Sequence, residues 1–148
     1  MTLILVLISF LFMEFVAWSN HKYVMHGFLW SLHKDHHKGT NAGKPGFQKN
    51  DLFFIIYALP AIILLIAGFS STNANMIAIG AGITLYGFTY FMIHDVVIHQ
   101  RIPIFTNPAN RYIKSIIRAH YAHHKPAGKD DFKNYGLLIF PRRFFIQG

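Results

Sequence analysis

The ten histidines of this 148-residue chain all fall into four tight groups: His21 and His26; His33, His36 and His37; His94 and His99; and His120, His123 and His124. Written as spacings, a His-x4-His pair followed by a His-x2-His-His triplet occurs twice, with a long apolar stretch between the copies. Neutral imidazole is the commonest metal ligand near neutral pH, because one ring nitrogen keeps a free lone pair. With no cysteine and only six carboxylates in the chain, a bound metal must be held mostly by nitrogen.

Helical geometry sorts these ligands. Positions i, i+3 and i+4 share one face of an α-helix, so His33, His36 and His37 are expected to form one ligand cluster, and His120, His123 and His124 another. The pairs behave differently: five residues at about 100° each leave the two imidazoles roughly 140° apart on a regular helix. Either the helix is broken or π-bulged there, or the members of each pair serve different metals. The second arrangement is preferred, with two metals sharing the ten imidazoles. Five nitrogens each would leave one open position on an octahedral ion. Ligand type alone admits zinc, copper or iron.

The elements that must position these groups belong to a membrane. Hydrophobic residues make up 53% of the chain and charged residues 14%, a balance too apolar for an ordinary soluble domain. Three nearly uncharged stretches, Thr2 to Trp18, Leu52 to Phe69 and Met76 to Ile93, are each long enough to cross the hydrocarbon layer as a helix. The first lacks the basic start and small-x-small cleavage site of a signal peptide, so a retained helix is expected. All fourteen Lys and Arg lie before Leu52 or after Ile93, and the linker Ser70 to Asn75 carries no charge. By the positive-inside rule both histidine blocks face the cytoplasm and the N-terminus lies outside. The expectation is an all-α integral membrane protein of a single domain, residues 1–148. It has three to four spanning helices and a cytoplasmic interfacial helical cap carrying the histidine clusters. The net charge of +8 then sits on one surface, suited to anionic headgroups or an acidic protein. A nucleic-acid partner is not expected, since no basic patch is interleaved with exposed aromatics on a soluble fold.

Smaller signals refine this. Asn107-Pro108 reads as an N-cap with proline at the first helical position. In the helix that follows, Tyr112, Ile113, Ile116 and Ile117 form an apolar face opposite Arg111, Lys114, Ser115 and Arg118, with His120, His123 and His124 continuing the apolar side. Glu14 is the one carboxylate inside a spanning segment; two turns before His21, it is either a partner or proton relay for that histidine or a packed residue bonded to a neighbouring helix. Asp95 is expected to accept the second N–H of His94. Ala74, Ala78 and Gly82 form a small-xxx-small series for close helix packing. Pro60 is expected to kink the second span, and Gly87 and Tyr90 to line an apolar passage from the bilayer to the metals.

The four-group pattern resembles the membrane fatty acid hydroxylase superfamily, and in detail its bacterial β-carotene 3-hydroxylase branch. The matching residues are Met13-Glu14, HKYVMHGFLW from His21, the triplet at His33 to His37, Asn50-Asp51-Leu52, IGAGITLYGFTYFMIHDVVIHQR from Ile79, and AHYAHH from Ala119. The resemblance implies two non-haem irons ligated by the ten histidines, dioxygen as co-substrate, and hydroxylation of a carotenoid at C3 of its β-ionone rings. It also implies electrons from a separate ferredoxin-type donor with its reductase, and residence in the bacterial inner membrane. A fatty acyl or sterol hydroxylase or desaturase of the same superfamily is the alternative. A metal transporter is disfavoured, since its ligands belong near the bilayer midplane. The tail after His124 resembles the branch least, and Lys129 to Gly148 receive no function.

Overall fold

The computed structural model describes residues 2–37, 46–126 and 133–146. Those residues hold five α-helices: α1 Thr2–Asn20, α2 Trp30–His37, α3 Asp51–Ser70, α4 Ala74–Tyr90 and α5 Arg111–His124. Two π-helical segments extend the long helices, His21–Phe28 after α1 and Phe91–Ile98 after α4. A short 3₁₀ turn, Arg142–Phe144, closes the chain.

Three continuous helical stretches, Thr2–Phe28, Asp51–Ser70 and Ala74–Ile98, are long and apolar enough to cross a membrane. Their outward faces are large and hydrophobic, with Leu3, Leu7, Leu11 and Phe15 exposed on α1 and Leu59, Ile62, Ile66 and Phe69 exposed on α3. An apolar surface this continuous belongs in lipid, where a helix satisfies its own backbone hydrogen bonds. The protein is an integral membrane protein.

Helix α4 packs against both α1 and α3. The small-residue series permits the close approach: Ala78 is buried, and a Cβ on Gly82 would meet the Val6 carbonyl and, at 2.7 Å, the Ser9 Cβ of α1. At the α3–α4 turn, Asn73 caps α4 by accepting from the N–H groups of Asn75 (3.0 Å) and Met76 (3.2 Å). Helix α3 stays helical through Pro60.

Helix α5 begins at Arg111 rather than at Pro108. The Asn110 side chain takes the N-cap, accepting from Tyr112 N at 2.8 Å and Ile113 N at 3.2 Å. The apolar face extends further than expected: Ser115 is fully buried, its Oγ donating to the Arg111 carbonyl and accepting from Ile146 N. Ile116 joins Ile98 and Leu137 in a small core that fixes α5 against the second π segment and the C-terminal residues. The histidine-bearing ends of α1 and α4, the start of α3, and helices α2 and α5 thus meet at one end of the bundle.

Candidate metal centre

At that end the imidazoles form two clusters. In the first, His21, His26, His33, His37 and His123 bring one ring nitrogen each to within 4.8 Å of one another. In the second, His36, His99, His120 and His124 do the same. His94 borders the second cluster, its Nε2 3.1 Å from His36 Nε2 and its ring centroid 4.6 Å from that of His99. All ten predicted residues are therefore gathered at this end, nine of them in the two clusters and His94 at the edge of the second.

The partition differs from the one expected. Each triplet divides between clusters: α2 sends His33 and His37 one way and His36 the other, and α5 sends His123 to the first cluster and His120 and His124 to the second. Adjacent residues on a helix diverge by about 100°, so a triplet wedged between two points serves both. Each pair, conversely, stays together. The His-x4-His spacing is taken up by π-helix, in which His99 N–H donates to the His94 carbonyl five residues back at 3.0 Å. Residues five apart then lie nearly above one another. The first segment does the same for His21 and His26 before the chain kinks at Gly27 (φ −99°, ψ −125°).

Hydrogen bonds behind the rings fix which nitrogen carries the proton. His21 Nδ1 donates to the Tyr135 carbonyl (2.9 Å), His33 Nδ1 to Asn50 Oδ1 (2.7 Å) and His94 Nδ1 to Asp95 Oδ2 (3.2 Å). With Nδ1 protonated, Nε2 presents a lone pair. The Nε2 atoms of His21 and His33 nevertheless face each other at 3.2 Å, lone pair to lone pair, an arrangement that a cation between them makes favourable. His124 Nε2 is buried with no hydrogen-bond partner among the described residues.

The separations suit a first-row metal ion. With each nitrogen about 2.1 Å from the ion, neighbouring octahedral ligands lie about 3.0 Å apart and tetrahedral ones about 3.4 Å. Five Nε2–Nε2 distances here, His21–His33, His33–His37, His26–His123, His36–His94 and His99–His120, run from 2.9 to 3.2 Å. The donors of each cluster fit a first-row metal ion.

Burial keeps these rings in the ligating form. Desolvation, reinforced by neighbouring imidazoles, lowers His37, His99 and His124 to about 2. His33 falls to about 3, burial outweighing the opposing Asn50 bond. Burial likewise pushes His36, His120 and His123 well below the usual histidine value.

Around the clusters, Asp95 stands where expected, between His94 and Arg101, whose guanidinium bonds Asp95 Oδ1 at 2.8 Å and Asp51 at 2.6 and 2.9 Å. Those bonds, Asp51 foremost, hold Arg101 above its ordinary value. Glu14 stands elsewhere than beside His21. It accepts from Tyr86 Oη (2.7 Å) and from the backbone N–H groups of Leu137 and Ile139 (2.9 Å each). The tail, which received no function from the sequence, closes the first cluster, with Tyr135 supplying the acceptor for His21 and packing its ring against His21, His26 and His123. Residues 129–132 and 147–148 of that tail lie outside the described residues. Asn50, Asp51 and Arg101 also went without a role in the sequence. A polar Asn-Asp pair opening an apolar span was their available signal; a backbone carbonyl such as that of Tyr135 leaves none.

Beside the second cluster lies an apolar cavity of about 370 Å³ between α3 and α4, reaching from Ile62 and Ile83 past Tyr57, Gly87 and Phe91 to His94. Gly87 and Tyr90 line it, as their shared face with His94 suggested.

The fatty acid hydroxylase family model matches residues 6–145. A β-carotene hydroxylase of Pantoea ananas is 38% identical over 138 residues, spanning 93% of this chain and 77% of the relative. One of Paracoccus sp. (strain N81106 / MBIC 01143) is 34% identical over 139 residues, covering 93% and 83%. The chloroplastic β-carotene 3-hydroxylase 2 of Arabidopsis thaliana is 36% identical over 137 residues, covering 88% of this chain and 42% of its own length. No solved structure matches the chain. With nearly its whole length covered by the model, and its histidines gathered into two clusters able to bind metal, the chain belongs to the fatty acid hydroxylase family.

Proposed function

We propose that this protein hydroxylates C3 of the β-ionone rings of β-carotene, giving β-cryptoxanthin and then zeaxanthin, with two irons held by the ten histidines. The observation that carries the reading is the convergence of lone-pair nitrogens, at octahedral spacing, beside an apolar cavity that borders lipid. When bound, a pair of irons supplies the redox capacity to activate dioxygen. Each hydroxylation takes one C–H bond, O₂, two electrons and two protons, and yields one C–OH and one water.

The chain's own residues do the rest. Tyr57, Gly87, Phe91 and their neighbours receive an apolar ring end and keep water from it. A cavity of this volume suits one end of a forty-carbon substrate, so the remainder of the molecule stays in the bilayer. Asp95, Asn50 and the Tyr135 carbonyl hold protons on the Nδ1 atoms and keep the Nε2 lone pairs aimed inward. Electrons come from a separate ferredoxin-type donor, for which the basic residues Arg111, Lys114 and Arg118 at the histidine end offer an attractive surface. The distribution of Lys and Arg supports orientation in a bacterial inner membrane with this end in the cytoplasm.

The test is the pigment profile of a β-carotene-accumulating bacterium expressing the chain, with the His123→Ala variant as control. Zeaxanthin and β-cryptoxanthin in the first strain alone support the reading. Unchanged β-carotene, with the protein inserted and a donor supplied, refutes it and favours an acyl or sterol substrate.

A further inference from the structure

Glu14 is buried in α1, remote in sequence from the C-terminal residues, yet two of its three hydrogen bonds hold them. Its Oε1 accepts from Leu137 N and Ile139 N, each at 2.9 Å, while Oε2 accepts from Tyr86 Oη of α4 at 2.7 Å. The backbone from residue 136 to 139 curls around this carboxyl group so closely that a Cβ on Gly136 would collide with the Ile139 carbonyl and stand 3.2 Å from Glu14 Oε1. Asn134 tightens the same turn by donating to the Gly136 carbonyl at 2.8 Å. Further along, the Leu138 carbonyl accepts from Tyr112 Oη, and Ile146 N donates to the buried Ser115 Oγ, so the strap of residues 133–146 is also tied to α5.

One residue before Gly136, the Tyr135 carbonyl accepts the Nδ1 proton of His21 at 2.9 Å. His21 leaves α1 seven positions after Glu14, so one helix both anchors the strap and receives its carbonyl. Resting on the two-iron reading above, we propose that Glu14 and the strap form a clamp that orients His21. Glu14 is then a positioning residue for the first histidine cluster, acting through backbone rather than by touching an imidazole. The clamp serves one cluster: Tyr135 packs on His21, His26 and His123, all of the first, whereas His94 of the second is oriented by Asp95. Loss of such an outer hydrogen bond costs a metal site about 10- to 100-fold in affinity.

The experiment is iron content per chain, measured by mass spectrometry on detergent-purified protein equilibrated with ferrous iron buffered at the lowest free concentration that saturates the unaltered chain. The unaltered chain is expected to bind two. Glu14→Ala is expected to fall towards one, and Gly136→Ala, which displaces the strap without touching a charge, to do the same. Glu14→Gln keeps an oxygen for the two backbone N–H groups and is expected to retain both. To assign the lost ion, Glu14→Ala is combined with His36→Ala, which leaves the first cluster, and with His33→Ala, which leaves the second. The first double variant should bind little iron and the second about as much as His33→Ala alone. Two irons in Glu14→Ala, or equal losses in the two double variants, overturn the clamp while leaving the two-iron reading intact. Fewer than two in the unaltered chain overturns that reading and the clamp with it.

Discussion

His21 and His33, twelve residues apart, point Nε2 at Nε2 across 3.2 Å although both Nδ1 atoms already spend their protons on oxygen acceptors. Two lone pairs held face to face suit a pair of ligands that share a cation. His33→Ala and His36→Ala should therefore each lower iron content, through the first and second clusters respectively. Zeaxanthin formation should vanish in both, and in the His37, His123 and His124 variants, while membrane insertion persists. Immunoblots of the membrane fraction alongside pigment chromatography check this; normal pigment in any of them contradicts a joint centre.

Asn50→Leu deprives His33 Nδ1 of its acceptor without touching a cluster nitrogen. Asp95→Asn weakens both the His94 bond and the Arg101 bridge. Each should reduce iron affinity or turnover by roughly 10- to 100-fold, measured by iron titration and by initial rates with saturating donor. Effects below twofold would mean that packing alone orients these rings.

Gly87 borders the cavity, and a Cβ there meets nothing within 4 Å. Gly87→Phe should fill space that the substrate ring needs, cutting zeaxanthin output at least tenfold while iron content stays at the unaltered level. Retained output would move the substrate path elsewhere.

Gly82→Val places two methyl groups where α4 meets the α1 backbone. Overpacking of this kind costs about 1–3 kcal/mol and should lower the thermal midpoint in detergent. An unchanged midpoint would show that α1 and α4 can separate without penalty.

Much of this was legible in the sequence, because it rests on composition and periodicity. Spanning helices declare themselves by uninterrupted apolar length, and ten histidines in four groups admit few readings. What escaped was geometry decided by tertiary contact. The His-x4-His spacing left a π-bulge as one of two readings, and nothing in Asp95-Val96-Val97-Ile98 selects the π-helix that turns His94 and His99 from diverging to converging. The division of each triplet depends on where two ions lie relative to α2 and α5, which spacing alone does not give. The strap was missed because it acts through main-chain N–H and carbonyl groups that every residue possesses.

The sharing of α2 and α5 between the two clusters makes their formation a joint event. The π segments each serve one cluster, but neither cluster is complete until α2 lies against α5, and the docking that completes one completes the other. A lesion in the backbone of α2 or α5 is therefore expected to disable both centres at once.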